Sequence, residues 1–315
     1  MTPKVVLLYT RRATEIDEYE QLIRAAELPI ELRVCRTPVE ARQNIVEADI
    51  VFGVHLPPEI YAEAKQLRWI QSMWAGVEGL VSAPLPPGVT ITKPWGVFKR
   101  FISQYVFGYL LADYIKLRQG YAQQAVSKWE HYRIELVRGK RLGIAGLGDI
   151  GSEIARIGKS FEMEIWGLNQ NGQPHPFADR VFPTNAVGEF AAGINVLVIT
   201  LPATPKTRGL FNREVLWQLQ PDLLLINVGR GVVIDEIALA ELLEQQRIRG
   251  AVIDVFTEEP LPSEHPFWRL PNCIVTPHVG GPSLPTDITQ CFLENFQRFS
   301  VGQPLLGQID LERGY

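Results

Sequence analysis

Short apolar runs alternate with segments of helical spacing along most of the chain. Residues 4 to 10 (Lys-Val-Val-Leu-Leu-Tyr-Thr), 31 to 35, 49 to 54 and Trp69 to Met73 read as buried strands, and Ile16 to Ala26 and Val39 to Ala48 carry apolar residues at helical spacing. In Trp74-Ala75-Gly76-Val77-Glu78-Gly79 the two glycines mark a sharp turn into another helix. Strands that alternate with helices pair in parallel, with the helices covering both faces of the sheet. Residues 1 to 98 are therefore expected to form an α/β unit of their own. Val81 to Pro94, which contains Pro84, Pro86, Pro87, Gly88 and Pro94, reads as a boundary rather than an element. Phe101 to Leu117 predicts a long, largely apolar helix carrying Tyr105, Tyr109 and Tyr114. So apolar a helix is buried on most sides, which suits either a place between two domains or the core of one.

A second alternation follows, with strands predicted at 142–146, 163–168, 194–201, 223–228, 250–255 and 274–276. Helices near 150–160, 186–191, 212–219 and 235–246 separate them. A last helix, about Thr286 to Val301, follows Pro277, Pro282 and Pro285 and is expected to return to the first domain. The pattern predicts an α/β protein of two doubly wound parallel sheets. The expected division is 1–98 plus 286–315 for one domain and 99–285 for the other.

The second alternation opens on Leu142-Gly143-Ile144-Ala145-Gly146-Leu147-Gly148-Asp149-Ile150-Gly151, a strand that ends in glycines spaced G-x-G-x-x-G. Ile150, Ile154 and Ile157 then recur at helical spacing, and a second strand follows at the distance of a βαβ unit. Gly146 would let the chain turn, Gly148 would leave no Cβ in the way of a diphosphate, and Gly151 would let the helix pack close to the strand. Free N–H groups and the positive helix end would face the anion. The expected ligand is a dinucleotide held by Gly146, Gly148, Asp149, Ile150 and Gly151.

Composition narrows the class without changing this picture. The 315 residues suit two domains, and 46% hydrophobic with 21% charged residues is ordinary for a globular protein. Net charge is −4 with both signs scattered, so nucleic acid is not an expected partner. No apolar run is long enough to span a bilayer, and Arg11-Arg12 interrupt the apolar start at Val5 to Tyr9, so no membrane association and a cytoplasmic location are expected. Cys35, Cys273 and Cys291 lack C-x-x-C spacing and read as reduced core residues. The five histidines are dispersed, and no metal site is expected.

Four further blocks carry a family resemblance. They are Leu201-Pro202-Ala203-Thr204-Pro205-Lys206-Thr207-Arg208-Gly209-Leu210, Ile226-Asn227-Val228-Gly229-Arg230-Gly231, Asp254-Val255-Phe256-Thr257-Glu258-Glu259-Pro260-Leu261-Pro262 and Thr276-Pro277-His278-Val279-Gly280-Gly281. With the glycine turn, and in this order, they resemble the D-isomer-specific 2-hydroxyacid dehydrogenase family. Within it the likeness is greatest to the glyoxylate/hydroxypyruvate reductase A branch, through the length and the Gly307-Gln308-Ile309-Asp310 to Arg313-Gly314-Tyr315 ending. The resemblance implies Rossmann-like and flavodoxin-like domains, an interdomain cleft that holds the active site, and a homodimer. It also implies reduction of small 2-oxo acids, such as glyoxylate and hydroxypyruvate, to 2-hydroxy acids by a nicotinamide cofactor.

A 2-oxo acid that accepts a hydride needs its carboxylate held, its carbonyl polarised and its alkoxide protonated. Arg230, at a strand end, suits the first two tasks with a permanently charged guanidinium fork. His278 is the expected acid-base, because histidine alone has an unperturbed pKa near neutrality, and the alternative, His265 in Ser263-Glu264-His265-Pro266, reads as a surface turn. By resemblance Glu259, which immediately precedes the proline, holds the other imidazole nitrogen. The resemblance also gives the Ala75 and Gly76 amides to the substrate carboxylate and lets Val54 and Trp74 line the pocket. Leu201, Pro202, Thr207, Val228, Gly229, Asp254, Gly280 and Gly281 are carried over as cofactor contacts. Asp254 at a strand end equally suits a loop cap.

The place that carries an acid in NAD-selective sites falls on Asn169, followed by Gln170 and Asn171. No carboxylate repels a 2′-phosphate there and no arginine attracts one, His175 and Arg180 being the nearest candidates. The cofactor is therefore NADP(H) or NAD(H), with a slight lean to NADP(H). Two competing readings use the same scaffold: another substrate (phosphite, formate or a bulkier 2-oxo acid), or a non-catalytic nucleotide sensor. The intact Arg230, Glu259 and His278 argue against the sensor.

Overall fold

The structure, a computed structural model, describes residues 4–10, 13–54 and 56–311. Arg11, Arg12 and the Arg313 to Tyr315 ending lie outside the described residues. The chain divides into two compact units, Met1–Phe98 with Ser283–Tyr315, and Lys99–Pro282.

The first unit runs β1 (Lys4–Tyr9), α1 (Ala13–Ala25), β2 (Ile30–Cys35), α2 (Pro38–Ile45), β3 (Ile50–Gly53), α3 (Pro58–Tyr61), β4 (Trp69–Ser72), α4 (Glu78–Val81) and β5 (Thr90–Thr92). Its five strands pair in parallel in the order β2-β1-β3-β4-β5, the flavodoxin-like winding. Local signals set the helix starts: Thr37 accepts a hydrogen bond from the Glu40 amide at 3.2 Å, and Pro38 opens α2 where a missing N–H costs nothing.

The second unit holds α5 (Phe98–Tyr114) apart from its first residue, and continues with α6 (Leu117–Ala125), β6 (Arg141–Ala145), α7 (Asp149–Ser160), β7 (Glu164–Asn169), β8 (Arg180–Pro183), α8 (Val187–Ala192), β9 (Val196–Ile199), α9 (Arg213–Leu216), β10 (Leu224–Asn227), α10 (Glu236–Glu244), β11 (Gly250–Ile253) and β12 (Cys273–Val275). Its seven parallel strands lie in the order β12-β11-β10-β9-β6-β7-β8. Counted from β6, this is the Rossmann order, which reverses between β6 and β9. The glycine turn follows β6. The expected fold class, two doubly wound parallel sheets of Rossmann-like and flavodoxin-like winding, holds.

The last helix, α11 (Pro285–Ser300), packs in the first unit, where Phe292 stacks on Phe52 at 4.5 Å and on Trp69 at 5.4 Å. Beyond it, Ile309 donates its amide to the Ile91 carbonyl, and Gln308 bridges Thr92 antiparallel.

Three local readings need correction. Val81 to Pro94 is not only a boundary, because it contains β5, three residues whose backbone pairs with β4. So short a strand between prolines leaves no period to detect. The helix expected to run on to Leu117 ends at Tyr114; Lys116 takes a left-handed φ of 57°, and α6 begins separately. No residue of α6 is buried, so it carries no apolar stripe. The strand β8 is a sheet edge ending in Pro183, and edge strands lack the apolar run of central ones. All three cysteines are buried and unpaired. Among the described residues no helix is long and apolar enough to cross a membrane.

Candidate active site

The glycine turn is shaped by its backbone. Gly146 takes a φ of +102°, a region L side chains rarely adopt. A Cβ on Gly151 would stand 1.9 Å from the Gly146 carbonyl oxygen, so only glycine lets α7 start this close to the strand end. Around Gly148 there is open space, and as the N-cap it offers no side chain to the first N–H groups of α7. Open room above uncapped donors is what a diphosphate requires, so these residues fit a dinucleotide. Asp149 opens the helix with its carboxylate 3.1 Å from the Lys99 ammonium, and Ile150 beside it is half-buried.

At the end of β7 the Asn169 side chain organises its own loop. Its Oδ1 accepts from the amides of Asn171 and Gln173 at 3.2 and 3.1 Å, and its Nδ2 donates to the Gln173 carbonyl at 2.8 Å. Gln170 is exposed. Of the two cations considered for a 2′-phosphate, Arg180 pairs with Glu189 and lies 4.1 Å over the Phe182 ring. His175 accepts from the Phe177 amide at Nδ1 (3.3 Å), so its Nε2 carries the proton and donates to Ser152 Oγ (2.8 Å) on α7. Ser152 in turn donates to the Leu147 carbonyl inside the glycine turn. Burial lowers the His175 pKa and keeps it neutral.

On the β9 side, Leu201 and Thr207 are buried, and the Thr207 hydroxyl donates to the Pro202 carbonyl at 2.6 Å, closing the 202–207 turn. Buried Val228 leads into Gly229, where a Cβ would press to 2.7 Å from the Leu201 carbonyl oxygen. Arg230 follows in extended conformation, half-buried, with one guanidinium nitrogen 2.7 Å from the Gly229 carbonyl oxygen.

The three residues proposed for the chemistry are linked through backbone. A Cβ on Gly231 would collide with the Phe256 carbonyl carbon at 2.0 Å and the Thr257 nitrogen at 2.2 Å, so the Arg230 loop lies flat on the 256–257 segment. The Phe256 amide donates to Glu259 Oε1 at 2.9 Å. The other oxygen, Glu259 Oε2, is 2.9 Å from His278 Nδ1, 19 residues further along the chain. His278 is half exposed, at 51%, and its φ of 52° is uncommon for a residue other than glycine. Its amide donates to the Asp254 and Thr276 carbonyls at 2.9 and 3.0 Å.

Asp254 has the geometry of the loop cap. Only 2% exposed, its carboxylate accepts from the Thr276 hydroxyl at 2.6 Å and from the Val279 and Gly280 amides at 2.9 Å each. Gly281 beyond it is half-buried. His265 caps the 266–268 turn, its Nδ1 accepting from the Phe267 amide at 3.4 Å, and takes no place beside Glu259. Thr276 and Tyr105 were not singled out from the sequence as site residues. A threonine before proline, and an aromatic on a buried helix, carry no local mark of such a role.

In the first unit Val54 is buried and donates its amide to the Tyr9 carbonyl. The Trp74 amide donates to Ser72 Oγ at 3.0 Å, the same hydroxyl donates to the Trp74 carbonyl, and Ala75 and Gly76 follow half-buried. Ser283 Oγ donates to the Met73 carbonyl at 3.2 Å, pinning the turn from the C-terminal segment.

A family model described as "D-isomer specific 2-hydroxyacid dehydrogenase, NAD binding domain" matches residues 107–280. The chain is 31% identical over 283 residues to a glyoxylate/hydroxypyruvate reductase A of Escherichia fergusonii, covering 85% of this chain and 88% of that one. Among solved structures it is similar to a D-isomer specific 2-hydroxyacid dehydrogenase family protein of Aeromonas salmonicida (TM-score 0.89, 35% identity, 98% and 99% of the two chains covered). It is also similar to an NADPH-dependent glyoxylate/hydroxypyruvate reductase of Sinorhizobium meliloti in complex with NADP and sulfate (TM-score 0.89, 25% identity, 99% and 100% covered).

Proposed function

The chain belongs to the D-isomer specific 2-hydroxyacid dehydrogenase family, and from that premise we propose that it reduces small 2-oxo acids, such as glyoxylate and hydroxypyruvate, to 2-hydroxy acids. The observation that carries the reading is the His278–Glu259 pair at 2.9 Å, on the segment against which the Arg230 loop is packed. The turn at Gly146, Gly148 and Gly151 would hold a nicotinamide dinucleotide, which would supply the hydride when bound. Arg230 binds the substrate carboxylate and polarises the carbonyl through its guanidinium. Glu259 occupies Nδ1 of His278 and leaves Nε2 as the nitrogen that gives its proton to the developing alkoxide. The Ala75 and Gly76 amides add donors for the carboxylate, and Val54 and Trp74 set the size of the substrate.

NADPH is the favoured cofactor. No carboxylate stands at 169–170, and the Asn169 side chain is engaged in its own loop rather than set to read a ribose hydroxyl. The S. meliloti relative is described as NADPH-dependent. A second copy of this chain is the proposed partner. Its support is the segment from 115 to 136, which leaves Tyr121, Val126, Trp129 and Leu136 exposed, Trp129 at 92%.

The deciding measurement is the initial rate of NADPH and NADH oxidation with glyoxylate, hydroxypyruvate, pyruvate and phenylpyruvate. Turnover of glyoxylate and hydroxypyruvate with NADPH is expected. Tight cofactor binding without turnover of any of the four would refute the substrate class.

A further inference from the structure

The hydrogen bonds behind His278 lead to a side chain outside the matched motifs. On α5, the Tyr105 hydroxyl lies 2.6 Å from Thr276 Oγ1, and Thr276 Oγ1 lies 2.6 Å from Asp254 Oδ1. The direction of both bonds follows from the chemistry. A buried carboxylate that also takes the Val279 and Gly280 amides can only accept, so the Thr276 proton goes to Asp254. Thr276 Oγ1 is then an acceptor, and the phenol of Tyr105 donates to it. Burial pushes the Tyr105 phenol up from its ordinary value, so it keeps that proton at working pH.

The ring matters as well as the hydroxyl. A Cβ on Gly280 would meet Asp254 Oδ2 at 2.9 Å and the Tyr105 Cγ at 3.4 Å. The backbone after His278 is thus held between a carboxylate and an aromatic wall. His278 needs such flanks, because its left-handed φ persists only if the residues on either side are fixed. On one side Thr276 is tied by its hydroxyl, and on the other Val279 and Gly280 are tied by their amides, all to the same carboxylate.

We propose that Tyr105 is a positioning residue for His278, acting through Thr276 and Asp254 to hold the 276–280 backbone so that the imidazole meets Glu259 and the substrate. Its hydroxyl bonds Thr276 and not the imidazole itself. The inference rests on the reading of His278 as the acid, and deepens it by adding the element that aims it.

The test uses the full chain with glyoxylate and NADPH. Tyr105→Phe removes one hydrogen bond and keeps the ring, and kcat should fall by about 3- to 10-fold while the NADPH dissociation constant is unchanged. Thr276→Val should lose at least as much, and Thr276→Ser, which keeps the hydroxyl, should restore near-normal kcat. The double variant Tyr105→Phe/Thr276→Val should be no worse than Thr276→Val alone, since Tyr105 acts through that hydroxyl. In protein labelled with nitrogen-15 at histidine, the imidazole signals assigned to His278 by their loss in His278→Ala should shift in Tyr105→Phe.

A wild-type kcat in Tyr105→Phe, losses that multiply in the double variant, or unmoved His278 signals would each overturn the proposal. Failure of the acid assignment looks different: His278→Ala would then retain turnover, while the imidazole signals still report whether Tyr105 places the ring.

Discussion

Both units bury polar side chains beside their sheets, and they use them differently. In the first unit Trp69 Nε1 donates to Thr92 Oγ1 (2.8 Å), Thr92 donates to Gln71 Oε1 (2.8 Å), and Asn295 of α11 donates to that same oxygen (3.1 Å) and to the Leu306 carbonyl (2.9 Å). The Leu306 amide returns a bond to Asn295 Oδ1 at 2.8 Å. Its four side chains are neutral and buried, and the network closes on the half-buried Leu306 backbone, fastening the C-terminal segment to β4 and β5. In the second unit the network from Tyr105 through Thr276 to Asp254 contains a carboxylate and opens on half-exposed His278. A closed neutral network fixes chain topology; one that ends on an exposed titratable group fixes where that group stands. Damage to the first should therefore cost stability, and damage to the second should cost rate.

The sharpest separation is expected from His278→Ala. Removing the proposed proton donor should lower kcat by roughly 10²–10⁴-fold, about 3–5.5 kcal/mol on the barrier, with the melting temperature and cofactor affinity retained. A matching fall in melting temperature would break the contrast. Its counterpart is Phe292→Ala, which empties the stack on Phe52 and Trp69. Urea unfolding should show a loss of about 3–5 kcal/mol, with kcat per folded molecule unchanged. Arg230→Lys keeps the charge and loses the fork; kcat/KM for the 2-oxo acid should drop by roughly 10- to 100-fold, or about 1.5–3 kcal/mol, without a change in stability.

The smallest effect tests a region outside both networks. The Arg249 guanidinium, with Lys116 beside it, holds the Glu135 carboxyl down to about 2, while its partial burial opposes the shift. Because the folded value lies below the ordinary 4.5, this stabilisation is complete above pH 4.5 and disappears as pH falls towards 2. Solvent screening at a carboxylate about a third exposed reduces it to about 1 kcal/mol. The difference in unfolding free energy between the natural chain and Glu135→Gln should therefore be about 1 kcal/mol at neutral pH and close below pH 4.5. A difference that persists at pH 2 would contradict the ion-pair account.

What the chain made legible was set locally. Buried strands such as Val196–Ile199 and Leu224–Asn227 announce themselves as apolar runs, and the glycine turn through positions where a side chain cannot fit. β5, β8 and α6 were illegible because each is short, peripheral or unburied, and so exerts no pressure towards a hydrophobic pattern. Asn169 shows the same limit within the site. Its type and place could be read, but its hold on the 171–173 backbone required the loop.

The sequence by itself determined two parallel α/β sheets, the glycine turn and the residue types proposed for acid-base chemistry. Periodicity and backbone freedom act over a few residues, and composition states what chemistry is on hand. Tertiary structure alone decided that Glu259 reaches His278, that Asp254 spends its carboxylate on the 276–280 loop, and that Tyr105, 171 residues before Thr276, completes that support. Hydrogen bonds need partners within about 3 Å at favourable angles. Only the ordering of β11 beside β12, and the packing of α5 against the loop that follows, brings those partners together.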